Sequence, residues 1–148
     1  MADLLECLIQ IKGVADTPRR LAARVARLAA TPAAPADTER RVREVASRLV
    51  AAELVYSDCL SRMLAEDRPA LQALPVPAAA PGRFASSAEA IAEFARRREE
   101  CVRILDRCSA AQLNRVGIAP SRGRMTVADL VALMLAHDTD CLGELFRL

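Results

Sequence analysis

Five residues carry reactive or charged groups at positions where a helix would otherwise bury hydrocarbon: Glu53, Arg98, His137, Asp138 and Cys141. His137 and Cys141 are four apart, so a helix would project both from one face, the spacing by which a helix offers two metal ligands. Two donors do not complete a centre. A zinc or iron site with an open position would draw a third from another helix, such as Cys59 or Cys101. Spacing alone favours a plainer arrangement, an imidazole and a small apolar thiol packed in a core. A Cys–His nucleophile would also require a depressed thiol pKa, and nothing in the sequence points to one. Glu53 and Arg98 are read as a structural ion pair, because a buried charge must find a partner or change its protonation state.

These residues need helices to hold them. Pro32 and Pro35, then Pro69, Pro75, Pro77, Pro81 and Gly82, then Gly117, Pro120 and Gly123 cut the chain into four helical blocks. The first runs from about Pro18 to Ala30, with Thr17 as N-cap and Pro18 at the first helical position, and a short helix near Ala2 to Ile11 precedes it. The second, beginning after Asp37 or Thr38, sets Val42, Val45, Leu49, Glu53, Tyr56, Leu60 and Met63 on one stripe. A third opens with Ser86 and Glu89 in capping-box spacing and carries Ile91, Phe94, Ala95, Arg98, Val102 and Leu105. The fourth opens with Thr126 and Asp129 in the same spacing and runs Val127, Leu130, Val131, Met134, His137, Asp138, Cys141 and Leu145. Ser109 to Val116 reads as a capped extra turn, and no segment alternates long enough for a strand. The expectation is an all-α, four-helix bundle, with a long crossover of Asp67 to Ala85 between helices 2 and 3.

Composition bounds the function. A chain of 148 residues with 53% hydrophobic and 27% charged residues reads as one domain over 1–148 that can fold without a metal or disulfide. Net charge is only +2, Trp is absent and there is one Tyr, so neither a one-sided basic field nor a stacking platform for bases is present. Two arginine clusters, Arg40, Arg41 and Arg43, and Arg96, Arg97 and Arg98, lie beside Glu39, Glu44, Glu99 and Glu100 and read as solvated helix faces. No nucleic-acid partner is expected. Five cysteines without a CxxC pair fit a reducing compartment. An acidic N-terminus unlike an export signal, and no run of about 20 apolar residues, point to a cytoplasmic chain with no membrane association.

Four segments in order, DTPRRL from Asp16, REVASRLVAAE from Arg43, FARRREE from Phe94 and GRMTVADLVALMLAHDTDCL from Gly123, resemble the DinB-like, or YfiT-like, family over about Asp16 to Leu145. The resemblance implies a bundle of up-down-down-up topology, and a homodimer. It also implies a divalent metal, often zinc or nickel, held by three histidines from motifs like HLxxxE and HDxxH. Some members are low-molecular-weight-thiol S-transferases.

Carried over by position, the first of those histidines falls on Arg48, the second on His137 and the third on Cys141, while Glu53 and Asp138 match the pattern. A guanidinium is a permanent cation with donors only and cannot ligate a metal. The expectation is therefore a degenerate metal site with no catalytic residue and no cofactor. In it Arg48 takes the place of the ion and pairs with Asp138, Asp140 or Glu53. Such a protein would be stress-related or would bind a small molecule. The alternative is a zinc- or nickel-dependent S-transferase in which Cys59 or Cys101 replaces the missing ligand.

Overall fold

A computed structural model describes residues 3–30, 35–74 and 84–148. Its elements are α1 (Leu4–Ala29), α2 (Pro35–Ala65), α3 (Ser87–Asp106), a single turn α4 (Ala110–Leu113), β1 (Val116–Ala119), β2 (Gly123–Thr126) and α5 (Val127–Phe146). The four long helices form the bundle. Residue pairing gives their directions. Glu39 and Ser87, each near the start of its helix, hydrogen-bond between α2 and α3, so those two run parallel. Thr17 reaches Asp138 and Arg24 reaches Leu145, so α1 and α5 run parallel. Arg48 meets Glu144 and Tyr56 meets His137, so α2 and α5 are antiparallel. That is the up-down-down-up order. Two parallel neighbours joined by one connection require a crossover, which is the role of the segment after α2.

The first helix corrects the expected break at Thr17. Leu4–Ala29 is one continuous helix with Pro18 inside it, and Asp3 is its N-cap, accepting the Leu5 N–H. An interior proline normally costs about 3 kcal/mol, because it cannot donate to the carbonyl four residues back. Here that carbonyl belongs to Val14, and it accepts a hydrogen bond from Arg98 Nη1 at 2.9 Å. The tertiary donor replaces the missing N–H, so the helix runs through.

Other elements follow their local signals more closely. Ser86 caps α3 through Glu89 N–H, while the Glu89 carboxylate accepts from Ala85 N–H. Thr126 and Asp129 form a complete capping box at α5, and Ser109 and Gln112 form another at α4. Every expected stripe residue of α2 is buried. The buried face of α3 comprises Ala90, Phe94, Arg98, Cys101 and Leu105, with Ile91, Ala95 and Val102 half-buried at its margin. Arg96 and Arg97 are paired with Glu93, the Arg97 pair half-buried, and Arg40 forms exposed helix pairs with Asp37 and Glu44; Arg98 departs from its neighbours and turns inward.

The absence of strands is the second correction. β1 and β2 pair antiparallel, Val116 opposite Thr126 and Ala119 opposite Gly123. Four residues are too few for alternation to stand out from chance in a sequence. The turn explains the hairpin: Arg122 N–H reaches Ala119 O at 3.3 Å, Pro120 is second and Ser121 third with φ 65, as a type II turn requires. The crossover then docks on β1. Ile118 N–H donates to Pro69 O and Leu71 N–H to Ile118 O, each at 2.8 Å. Gly117 admits this approach, since a Cβ there would lie 2.6 Å from Leu71 Cδ1.

Burial divides into two apolar clusters. One holds Cys7, Ile11, Tyr56, Leu60, Met63, Leu130 and Met134 toward the hairpin, and the other Leu21, Leu49, Phe94, Leu142 and Leu145 toward the opposite end. Between them lies a polar layer.

Candidate functional site

The polar layer is built on Arg98, which is 1% exposed. Its guanidinium donates four hydrogen bonds: to Glu53 Oε2 at 2.7 Å, to Asp138 Oδ2 at 2.6 Å and Oδ1 at 3.0 Å, and to Val14 O. Thr17 adds its hydroxyl to Asp138 Oδ2 at 2.6 Å. The ring of Phe94 lies 4.8 Å from the guanidinium carbon. Four helices thus contribute to one fork-shaped donor, which suits arginine better than lysine. Burial pulls the Arg98 pKa down, but its bonds and charges to Asp138 and Glu53 more than reverse this and leave it raised. The expected Glu53–Arg98 pair is present.

One guanidinium faces two carboxylates here, and Glu53 Oε1 has no hydrogen-bond partner although Glu53 is fully buried. Burial pushes the Glu53 pKa up, and the Arg98 charge only partly offsets it. A carboxyl raised on folding contributes stability that is complete below its unfolded pKa, about 4.3, and is lost as pH rises through the folded value. The Glu53→Gln variant is therefore expected to lose less Tm than the wild type on going from mildly acid to alkaline pH. His137, lowered on folding by burial, acts in the opposite sense on the acid side and cancels between the two proteins. Thermal melts across pH check this; parallel profiles would rule it out.

A second, half-open group adjoins this layer between α2 and α5. Arg48 donates through Nη1 to Glu144 Oε1 at 3.0 Å and through Nη2 to Glu144 Oε2, a bidentate pair whose side chains are 32% and 41% exposed. The bond to Glu144 raises the Arg48 pKa, and the same bond lowers that of Glu144. Cys141 Sγ lies 3.7 Å from His137 Nε2, and the His137 ring stands edge-on to Tyr56 at 6.2 Å between centroids. The Arg48 charge acts on both His137 and Cys141, so the three positions meet in space.

Their protonation follows from burial. Burial lowers the His137 pKa, with Arg48 adding to the fall, so the imidazole is neutral near pH 7. Burial pushes the Cys141 thiol up to about 12 against the opposing pull of Arg48. Cys101 is likewise pushed up to about 12 and Cys59 is raised, in both cases chiefly by burial. These thiols are not poised as nucleophiles. Among the described residues, no three or more His, Cys, Asp or Glu side chains are grouped to hold a metal ion, and neither Cys59 nor Cys101 completes one with His137 and Cys141.

The partners of Arg48 differ from expectation. Glu53 and Asp138 are committed to Arg98 one layer deeper, and Arg48 takes Glu144 instead. Glu144 was legible in principle: it lies three after Cys141 and seven after His137, on the same helical face. Thr17 carries no such signal, because its partner is 121 residues away. No helix among the described residues is long and apolar enough to cross a membrane.

Comparison with known proteins adds the following. Residues 14–145 match the DinB superfamily. Among curated proteins none matches the chain. The solved structure of YfiT from Bacillus subtilis, described as a probable metal-dependent hydrolase with an unusual four-helix bundle topology, covers 99% of this chain and 89% of its own. The TM-score is 0.78 at 16% sequence identity, a likeness of fold.

Proposed function

This chain belongs to the DinB superfamily, and from that membership we propose that it is a superfamily protein with a degenerate metal site, which binds a small molecule or serves a stress-related role without metal-dependent catalysis. The observation that carries this is the Arg48–Glu144 ion pair beside His137 and Cys141. The residues present do not fit a three-histidine centre. Arg48 offers donors and a fixed positive charge where a lone pair would be needed, and Cys141 holds its proton. His137 is the one neutral nitrogen ligand of the set, and a catalytic zinc usually has three protein ligands. What the group offers a ligand instead is a guanidinium already half-satisfied by Glu144, a neutral imidazole and a thiol.

Elemental analysis of the purified protein, dialysed against zinc and then nickel, tests this reading. Less than about a tenth of an equivalent of either metal per chain is expected, because His137 and Cys141 alone make an incomplete site. Near-stoichiometric metal that is lost in His137→Ala would overturn it and favour a metal-dependent S-transferase acting on low-molecular-weight thiols.

A further inference from the structure

Two of the five cysteines, Cys7 on α1 and Cys108 just after α3, take no part in the polar layer or in the group around Arg48. Both stand toward the hairpin end of the bundle. Helices α1 and α3 are antiparallel, and the hydrogen bond from Arg98 Nη1 to Val14 O fixes their level. Cys7 lies seven residues before Val14 and Cys108 ten residues after Arg98, about 11 Å and about 15 Å from that level in the same direction, so less than about one helical turn separates them along the axis. Cys7 belongs to the apolar cluster toward the hairpin, and Cys108 packs against the same cluster from its margin. Their access differs: Cys7 is 2% exposed, whereas Cys108 is half-buried. Cys108 also falls between Arg107, the C-cap of α3, and Ser109, the N-cap of α4, and so belongs to neither helix.

We propose that Cys7 and Cys108 are a disulfide-forming pair, in which the half-buried Cys108 reacts first with a low-molecular-weight disulfide and the buried Cys7 resolves the product into a bond between α1 and the end of α3. Cys108 gives its proton to solvent, and its thiolate attacks one sulfur of the reagent, whose S–S bond breaks and releases one thiolate with the electron pair. Cys7 then loses its proton and attacks the Cys108 sulfur; the mixed disulfide breaks and releases the second thiolate. The chain is oxidised by two electrons, and the reagent is reduced to two thiols. Burial raises the Cys7 pKa and a Cys108 thiolate adds to the rise, so the two sulfurs lie within electrostatic reach of each other; burial raises Cys108 as well. Neither thiol is a fast nucleophile. Position is what favours the second step, because Cys7 is already held beside the sulfur it attacks while solvent thiols are kept from it. Bridging needs the two Cα atoms within about 7 Å. Cys108 is held by neither helix and Cys7 lies one turn from the N-cap Asp3, where local opening costs least, so both backbones can adjust.

Titration of the reduced, folded full chain with the aryl disulfide dithiobis(nitrobenzoate) at about pH 8, where a larger fraction of each thiol is ionised, tests the pairing. The wild type is expected to release two equivalents of arylthiolate and keep no adduct, with an intact mass lower by two hydrogen atoms and a Cys7–Cys108 cross-linked peptide after digestion. Cys7→Ala is expected to release one equivalent and retain one arylthio group on Cys108. Cys108→Ser is expected to react at least about tenfold more slowly than the wild type, because its remaining cysteines are all buried. The oxidised wild type is expected to melt roughly 5–10 °C above the reduced form, since the bond closes a loop of about 100 residues. A wild type that does not react, that retains an adduct as Cys7→Ala does, or that cross-links through other cysteines would overturn the proposal. Equal rates in the wild type and Cys108→Ser would overturn the assigned order of attack, and an unchanged melting temperature would show that the bond does not fit the native fold.

Discussion

Replacing Arg98 by alanine is expected to cost about 3–5 kcal/mol of stability, the usual loss when one partner of a buried ion pair is removed. Three acceptors would lose their donor together. Glu53 and Asp138, 0% and 1% exposed, would keep carboxyl groups with no cation, and Val14 O would lose the bond that stands in for the missing Pro18 N–H. Contact with Phe94 would go as well. Against a total stability of about 5–15 kcal/mol, that is a large fraction. Urea unfolding gives the magnitude, and two further variants separate its causes. Arg98→Lys should recover only part, because an ammonium is a point donor and cannot match a planar fork that serves three groups. Arg98→Met with Glu53→Gln and Asp138→Asn should be milder than Arg98→Ala, since it removes the uncompensated charges along with their cation. If that triple variant is as unstable as Arg98→Ala, lost packing and not unpaired charge sets the cost.

That network also shows where local reading works and where it stops. Capping boxes at Thr126 and Ser109, and the apolar stripe of α2, act within a few residues of themselves, so both were visible in the sequence. Glu53 and Arg98 were visible for another reason: two opposite charges on otherwise apolar stripes have little choice but each other. Pro18 misleads because local rules make proline a helix start, and the compensation comes from Arg98, 84 positions from Val14. The hairpin escapes because its strands are four residues long and are held in part by the crossover. At the candidate site, the positions were legible and one partner was not. Arg48 does stand beside His137 and Cys141, yet two of the three acids expected to meet it, Glu53 and Asp138, are taken by the deeper arginine, and Glu144 rather than Asp140 pairs with it. Competition among several acids for two guanidinium groups is settled by depth and direction, which a linear pattern does not encode.

The same depth argument makes Arg48 the position at which metal affinity can be restored. Arg48→His together with Cys141→His is expected to bind one zinc or nickel ion per chain at least about 1,000-fold more tightly than the wild type, because a third and a second imidazole join His137 in a three-ligand set with an open position. Titration calorimetry reads affinity and stoichiometry. Thermal melts give an independent measure, since free metal at 1,000 times the dissociation constant stabilises the folded state by about 4.1 kcal/mol. Glu144, released from Arg48, would be free to orient a neighbouring imidazole, as carboxylates around metal-bound histidines do. The single variants decide which departure matters. Cys141→His alone leaves a fixed cation beside the two imidazoles and should stay weak. Arg48→His alone, with His137 and the Cys141 thiol as co-ligands, should gain measurably, because a bound cation draws the proton from a coordinating thiol. If Cys141→His alone binds as tightly as the double variant, the guanidinium does not exclude the ion, and the metal-free reading of this site fails with it.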